Sequence, residues 1–190
     1  MRAGVLALQG DVREHVEILE ALGAEVVRVR HPSDLDGIDA LVIPGGESTT
    51  IGKLADRYGL VDPLRRVISE GMPTLGTCAG MIFLAGSTTE SRSQVQLGVL
   101  DVVVRRNAFG RQADSSEREL EVAGVDGPIN AVFIRAPWIE KVGEGVEVLA
   151  EADGHAVMVR EGNVIASSFH PELTGETRVH RMLLEMVEEA

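Results

Sequence analysis

The first half of the chain alternates short apolar runs with segments whose apolar residues recur at helical spacing. Residues 5–8, 26–29 and 40–43 are too short and too evenly apolar for helices, whereas residues 12–22 carry apolar side chains at 12, 16, 18, 19 and 22 before Gly23. Apolar strands separated by amphipathic helices are typical of a parallel sheet covered by helices on both faces. The sequence therefore predicts a three-layer α/β/α fold.

Beyond about residue 95 the pattern changes to short strands, and residues 177–189 form a closing amphipathic helix. The strands are predicted at 99–104, 120–122, 131–134, 146–151, 156–160 and 164–168. Turn residues such as Asp153-Gly154 favour antiparallel hairpins, so the central sheet is expected to be mostly parallel but mixed. With no repeat and no long linker, residues 1–190 are predicted to form a single domain.

Composition and charge exclude several classes of function. Hydrophobic residues make up 44% and charged residues 25% of the chain, as in an ordinary globular protein. The formal charge of -12 repels phosphate backbones and anionic membranes, so neither nucleic acid nor a membrane is an expected partner. The single cysteine permits no internal disulfide and favours a reducing, cytoplasmic compartment, and no histidine pairs with it at zinc-ligand spacing, so no metal is expected.

The strongest chemical signal is Gly76-Thr77-Cys78-Ala79-Gly80, between a predicted strand at 74–77 and an apolar helix at 81–84. Glycines two residues before and after a nucleophile allow a strand to turn sharply into a helix, which exposes the side chain and the next backbone N–H. The positive end of a helix dipole also favours a thiolate. The alternative is that Cys78 is a small core residue, but a core cysteine needs no flanking glycines.

Two further strand ends carry complementary groups. His170 follows the apolar strand at 164–168 and is suited to accept the thiol proton, while Glu172 is suited to hold the imidazole in the required tautomer. The alternative is a capped strand end with an exposed histidine. The turn after residue 43 contains Gly45-Gly46, and the N–H groups of Gly46 and Ala79 are candidates for an oxyanion hole. The alternative there is a plain turn capped by Ser48 or Thr49.

These residues resemble the class I, triad-type glutamine amidotransferases. Within that family the chain is most similar to the branch of glutaminase subunits of pyridoxal 5'-phosphate synthase. The resemblance rests on Leu8-Gln9-Gly10 and on residues 44–50, 76–80, 106–112, 133–137 and 168–174, which together span nearly the whole chain.

The resemblance implies a flavodoxin-like amidotransferase fold and a glutaminase that hydrolyses L-glutamine without a cofactor. It implies that ammonia passes through a protein channel to a separate synthase subunit in a heteromeric complex, and that the glycine turn rearranges there to form the oxyanion hole. By position, catalysis falls to Cys78, His170 and Glu172. Substrate binding falls to Gly46, Glu47, Ser48, Arg106, Ile134 and Arg135.

Some alternatives stay open in the sequence. Either Arg106 or Arg135 is suited to the α-carboxylate of glutamine, and each is otherwise a solvated surface charge. Glu47 either faces the α-ammonium or caps its own turn. Ala108 stands where the family usually has serine, and Trp138 where a smaller residue is expected. The competing functions are another thiol hydrolase, a glutaminase for a different synthase, and a flavodoxin-like redox sensor that uses Cys78.

Overall fold

A computed structural model describes residues 1–90, 94–108 and 115–189. The helices are α1 Val12–Ala21, α2 Ser48–Arg57, α3 Val61–Ser69, α4 Ala79–Leu84 and α5 Arg178–Glu188, with short 3-10 helices at Pro32–Leu35 and Pro171–Thr174. The strands are β1 Arg2–Leu6, β2 Glu25–Val29, β3 Ala40–Ile43, β4 Thr74–Thr77, β5 Ala85–Thr88, β6 Leu100–Arg105, β7 Ser115–Leu120, β8 Ile129–Ile134, β9 Trp138–Val142, β10 Glu147–Ala152, β11 His155–Glu161 and β12 Val164–Ser167.

The main sheet is mixed, as predicted. Its strand order is β2-β1-β3-β4-β12-β11-β9-β6-β5, with β10 paired to β11 beside this path. The pairs from β2 to β12 are all parallel, whereas β11 pairs antiparallel with β12, β9 and β10. Strands β7 and β8 form a separate antiparallel pair. The parallel half therefore corresponds to the alternating pattern of the first half of the sequence, completed by one strand from the end of the chain.

Helices cover both faces of the sheet, which confirms the three-layer prediction. On one face Ile51 of α2 and Leu64 of α3 join one buried cluster. On the other face Leu19 of α1 and Leu183 of α5 join a second one. A fully buried leucine or isoleucine contributes roughly 1.5–3 kcal/mol through the hydrophobic effect, so these clusters hold the helices against the sheet. Among the described residues, no helix has the length and apolar character needed to cross a membrane.

The structure shifts some predicted boundaries. The first strand spans Arg2–Leu6 rather than residues 5–8, because the chain bends away from the sheet after Ala7. Helix α3 begins at Val61, so Asp62 and Pro63 lie in its first turn and Asp62 is not the N-cap. Strands β5 and β9 were not predicted, since their small or charged residues carry no apolar run and backbone pairing with β6 defines them both.

The glycine turn, the Cys78 turn and the His170 segment meet at one edge of the sheet. Strands β3, β4 and β12 are parallel neighbours in that order. Parallel neighbours end at the same edge, which is where open α/β sheets place ligand sites. The glycine turn, the cysteine turn and the histidine segment therefore start side by side.

Candidate active site

Cys78 occupies a strained turn between β4 and α4. Its backbone has φ 47° and ψ -100°, a conformation that residues other than glycine rarely adopt. A Cβ on Gly76 would collide with Leu84, and a Cβ on Gly80 would collide with the carbonyl oxygen of Ile43. Both glycines are therefore sterically required, as the sequence indicates, and the cysteine points to the cavity at the sheet edge.

His170 and Glu172 are buried beside this turn, at 4% and 5% exposure. The Nδ1 atom of His170 lies 2.7 Å from Oε1 of Glu172, and the Cys78 thiol is near enough to the same imidazole to raise its pKa. The backbone N–H of His170 donates to the carbonyl of Val132 at 2.8 Å, which ties the segment to β8. The structure thus brings the three predicted residues together, and the alternative of an exposed histidine is wrong.

The electrostatics of the pair favour an imidazolium next to a carboxylate. Burial opposes the charged form of His170, but hydrogen bonds with Asp11, Cys78 and Glu172 outweigh it and raise the pKa of His170 to about 12. Burial likewise opposes ionisation of Glu172, but the charges and hydrogen bonds of His15 and His170 outweigh it and hold the pKa of that carboxyl well below its usual range. An imidazolium beside a thiol stabilises the thiolate, which is the nucleophilic form.

Asp11 is a residue that sequence reasoning missed. Its Oδ2 atom lies 3.3 Å from Nδ1 of His170, so two carboxylates face one imidazole nitrogen. The signal available was its place directly after the quoted motif at 8–10, where the turn from β1 leads into α1. Ligand atoms of Asp11, His170 and Glu172 all lie within 4.8 Å of one another, a spacing open to a metal ion. The oxygens nevertheless converge on an imidazole nitrogen, which accounts for the cluster without a metal.

The glycine turn lies directly against the histidine. Gly46 has φ +149°, and a Cβ on Gly45 would collide with the His170 ring. The N–H of Gly45 donates to Oγ1 of Thr77 at 3.0 Å. The N–H groups of Gly46 and Ala79 donate to no other residue in the described part of the chain, and both residues line the cavity. Both amides are thus free of other acceptors within the described residues and remain candidates for an oxyanion hole.

All six residues expected to bind substrate border one cavity of about 470 Å³, together with Cys78 and His170. The lining residues are Gln9, Asp11, Gly46, Glu47, Ser48, Cys78, Ala79, Ile82, Arg106, Asn107, Ile134, Arg135, His170 and Leu173. Glu172 lies behind His170 and does not reach this surface. A cavity of this size accommodates an amino acid, and the Cys78 side chain borders it.

Glu47 is the N-cap of α2, so the alternative cap at Ser48 or Thr49 is wrong. Its carboxylate accepts from the backbone N–H of Thr49 at 3.1 Å and of Thr50 at 2.8 Å, and from the Thr50 hydroxyl. These hydrogen bonds outweigh partial burial and lower the pKa of Glu47. Glu47 therefore caps its own turn while it borders the cavity, and both of its predicted roles remain compatible.

The two candidate arginines differ in their surroundings. The Arg106 guanidinium lies 3.4 Å from Oε1 of Glu47 and 3.0 Å from Oε1 of Gln94. Arg135 has φ 45° and an exposed side chain that makes no hydrogen bond or ion pair with another described residue. Both cations thus border the cavity, but only Arg135 is unengaged within the described ranges. Residues 109–112 of the quoted block 106–112 lie outside the described residues.

Within the described residues, neither departure from the expected pattern belongs to the cavity lining. Trp138 stacks on His155, with ring centroids 3.7 Å apart, and its indole N–H donates to Glu140. The backbone N–H of Ala108 donates to the carbonyl of Ala136. Trp138 therefore packs on the surface of the sheet, away from the cavity lining.

Comparison with known proteins points to one family. The model of the SNO glutamine amidotransferase family matches residues 5–189. The chain is 56% identical over 192 residues to the pyridoxal 5'-phosphate synthase subunit PdxT of Nocardioides sp., covering 98% of this chain and 96% of that one. It is 58% identical over 186 residues to the protein of the same description from Streptomyces coelicolor, covering 97% and 92%.

A solved structure agrees with this similarity. A crystal structure described as a glutamine amidotransferase superimposes with a TM-score of 0.94 at 54% identity and covers 98% of both chains. The fold and the sequence are thus shared over almost the full length.

Proposed function

The chain belongs to the SNO glutamine amidotransferase family, and we propose that it is the glutaminase subunit of a pyridoxal 5'-phosphate synthase, with Cys78, His170 and Glu172 as its catalytic residues. As a glutaminase it hydrolyses L-glutamine to glutamate and ammonia. The observation that carries the assignment of residues is the line of contacts from the Cys78 thiol through the His170 imidazole to the Glu172 carboxylate.

The reaction is an acyl transfer in two halves. The Cys78 thiolate attacks the side-chain amide carbon of glutamine, and the amides of Gly46 and Ala79 stabilise the negative oxygen that forms. The imidazolium of His170 then donates its proton to the departing nitrogen, so the C–N bond breaks and ammonia leaves a γ-glutamyl thioester. Water attacks the thioester with His170 as the base, the C–S bond breaks, and glutamate and the thiolate result.

Glu172 acts on the imidazole rather than on the substrate. Its buried carboxylate accepts a hydrogen bond from the Nδ1–H group of His170. This hydrogen bond leaves Nε2 to face the thiol and stabilises the positive charge of the ring during both proton transfers. The cost of burying this carboxylate is offset by the imidazole beside it, since a buried charge needs a partner.

The cavity lining supports glutamine as the substrate. Arg135 offers a cation for the α-carboxylate that is unengaged within the described residues, and Arg106 is a second cation in the same cavity lining. Glu47 and Ser48 offer oxygen atoms to the α-ammonium, and Ile134 lines the cavity beside Arg135. A site that pairs both ends of the amino acid favours glutamine over amides that lack them, because unpaired polar groups in a site are costly.

The ammonia acceptor is proposed to be another subunit of the synthase, because the relatives are described as one subunit of a pyridoxal 5'-phosphate synthase. The chain is proposed to act as one amidotransferase domain in the cytoplasm, where its single thiol stays reduced. The charge of -12 supports neither nucleic acid nor an anionic membrane as a partner.

The test of the mechanism is Cys78→Ala in the presence of the synthase subunit. Removal of the nucleophile is expected to lower ammonia release from glutamine at least about a thousandfold, as loss of a triad nucleophile does elsewhere. The circular dichroism spectrum should remain that of the parent, since alanine fits the site. Ammonia release at the parental rate would contradict the mechanism.

A second measurement separates the glutaminase from a redox sensor. A glutamine-analogue alkylator should label Cys78 selectively, and excess glutamine should block the labelling. Labelling at an equal rate with and without glutamine would favour the sensor.

A further inference from the structure

Two buried histidines extend the triad into the protein interior. His15 of α1 and His180 of α5 are both fully buried, and Nδ1 of His15 lies 2.7 Å from Nε2 of His180. The other ring nitrogen of His15, Nε2, lies 3.4 Å from Oε1 of Glu172 and 3.2 Å from Oγ1 of Thr77. The His15 ring therefore bridges the triad carboxylate and the residue that precedes the nucleophile.

The groups around His15 favour a proton on its Nε2 atom. The ionised carboxylate of Glu172 only accepts hydrogen bonds, so a proton on Nε2 of His15 makes the 3.4 Å contact favourable. Thr77 also accepts the N–H of Gly45 at 3.0 Å, which connects His15 to the glycine turn. The His15 imidazole thus contacts Glu172, which orients His170, and Thr77, which supports the glycine turn.

The Glu172 carboxylate has few partners besides this contact. Its Oε2 atom is buried and has no hydrogen-bond partner in the described ranges, while Oε1 lies 2.7 Å from Nδ1 of His170 and 3.4 Å from Nε2 of His15. Without His15, only His170 would contact the buried carboxylate of Glu172. The carboxylate could then rotate about the side-chain torsions of Glu172. Packing alone would not place an imidazole here, because an apolar side chain fills a fully buried position at lower desolvation cost.

We propose that His15 is a positioning residue for glutamine hydrolysis. It holds Glu172 in line with His170, and through Thr77 it connects Glu172 to the glycine turn. The inference rests on the proposed function, since it assigns a supporting group to the same reaction. His15 touches neither the substrate nor the thiol, so its effect on the rate passes through Glu172 and Thr77.

A matched pair of variants tests the proposal. In His15→Gln the side-chain amide nitrogen stands as far along the side chain as Nε2 and can still donate to Glu172. In His15→Asn the amide stands one bond shorter, at the level of Nδ1, and cannot. With the synthase subunit present, we expect His15→Asn to lower kcat about tenfold or more with little change in KM, and His15→Gln to recover most of the rate. His31→Gln, at an exposed histidine, is the control.

A second measurement does not depend on glutamine turnover. The pH profile of Cys78 alkylation by iodoacetamide in the free chain reports the thiolate–imidazolium pair. We expect its midpoint to move to higher pH by roughly one unit in His15→Asn, because a displaced Glu172 stabilises the imidazolium less, and to return in His15→Gln.

The outcomes are distinct. Equal kcat and equal alkylation profiles for folded His15→Asn and His15→Gln would overturn the role of His15. If the parental chain with the synthase subunit released no ammonia, the proposed function would fail, while the alkylation profiles would still decide the role of His15.

Discussion

At the scale of single residues, two carboxylates compete for one imidazole nitrogen. Glu172 lies 2.7 Å and Asp11 lies 3.3 Å from Nδ1 of His170. Glu172 is buried, whereas Asp11 is partly exposed and lines the cavity. Glu172 is therefore the closer and more deeply buried partner, and Asp11 adds a second negative charge at the cavity surface.

The variant Asp11→Asn tests this second charge. Removing it should lower the pKa of His170 from about 12, because the hydrogen bond with Asp11 is the largest influence that raises it. The measurement is an NMR titration of the His170 ring, with Asp36→Asn at an exposed aspartate as the control. The fold should be unaffected, because asparagine matches aspartate in shape. An unchanged titration would mean that Asp11 and His170 do not interact in solution.

At the scale of elements, the turn from β4 to α4 depends on its glycines. A methyl group on Gly80 would meet the carbonyl oxygen of Ile43, a backbone atom of the neighbouring strand that cannot move cheaply. We expect Gly80→Ala to lower the free energy of unfolding by about 3 kcal/mol, at the upper end of overpacking costs. Urea denaturation measures the change.

Gly145→Ala is the matched control for that variant. Among the described residues, a Cβ there would meet only Oε1 of Glu161, at 3.9 Å, so its effect should stay within about 0.5 kcal/mol. A similar loss in both variants would show that the contact with Ile43 is not the cause.

The elements that sequence reasoning predicted well are those whose signal is local. Strands β3 and β4 have the predicted bounds, because each is a buried run bordered by proline or glycine. Strand β9 has a charged and exposed surface, and only its pairing with β6 and β11 makes it a strand. Pairing between distant segments leaves no periodic trace in either one.

The same distinction applies to the candidate site. The turn at Cys78 is visible in the sequence because a strained backbone requires glycines nearby in the chain. His15 and His180 lie on apolar helix faces and are 165 residues apart, so nothing local sets them apart from ordinary core positions. Their contact arises only when α1 and α5 pack on the same face of the sheet.

At the scale of the whole molecule, the buried site makes stability depend on pH in both directions. Hydrogen bonds raise the pKa of His170 to about 12. The contribution of His170 to the free energy of unfolding is therefore complete below pH 6.5, the ordinary pKa of histidine, and is lost as the pH rises toward 12. The lowered pKa of Glu172 acts on the acid side, where its contribution is lost as the pH falls below the ordinary value of 4.5. The fold is therefore expected to be most stable near neutral pH.

His180 should dominate the acid side above pH 4.5. Burial, with the charge of His15 acting in the same direction, lowers the pKa of His180 to about 3, although Glu172 and Glu176 oppose the shift. The unfolded chain therefore binds a proton at this histidine from about pH 6.5 downward, whereas the folded chain does not. Each unit of pH in that window should remove about 1.4 kcal/mol from the free energy of unfolding through this group.

The variant His180→Leu should flatten this dependence, because leucine binds no proton in either state. Urea denaturation at several pH values between 6 and 4 gives the slope, and His31→Leu at an exposed histidine controls for the loss of a histidine as such. The absolute stability of His180→Leu is a separate quantity, since the variant also deprives Nδ1 of His15 of its partner. If His180→Leu kept the parental slope over this range, His180 would not be the group whose buried neutral form makes the fold sensitive to acid.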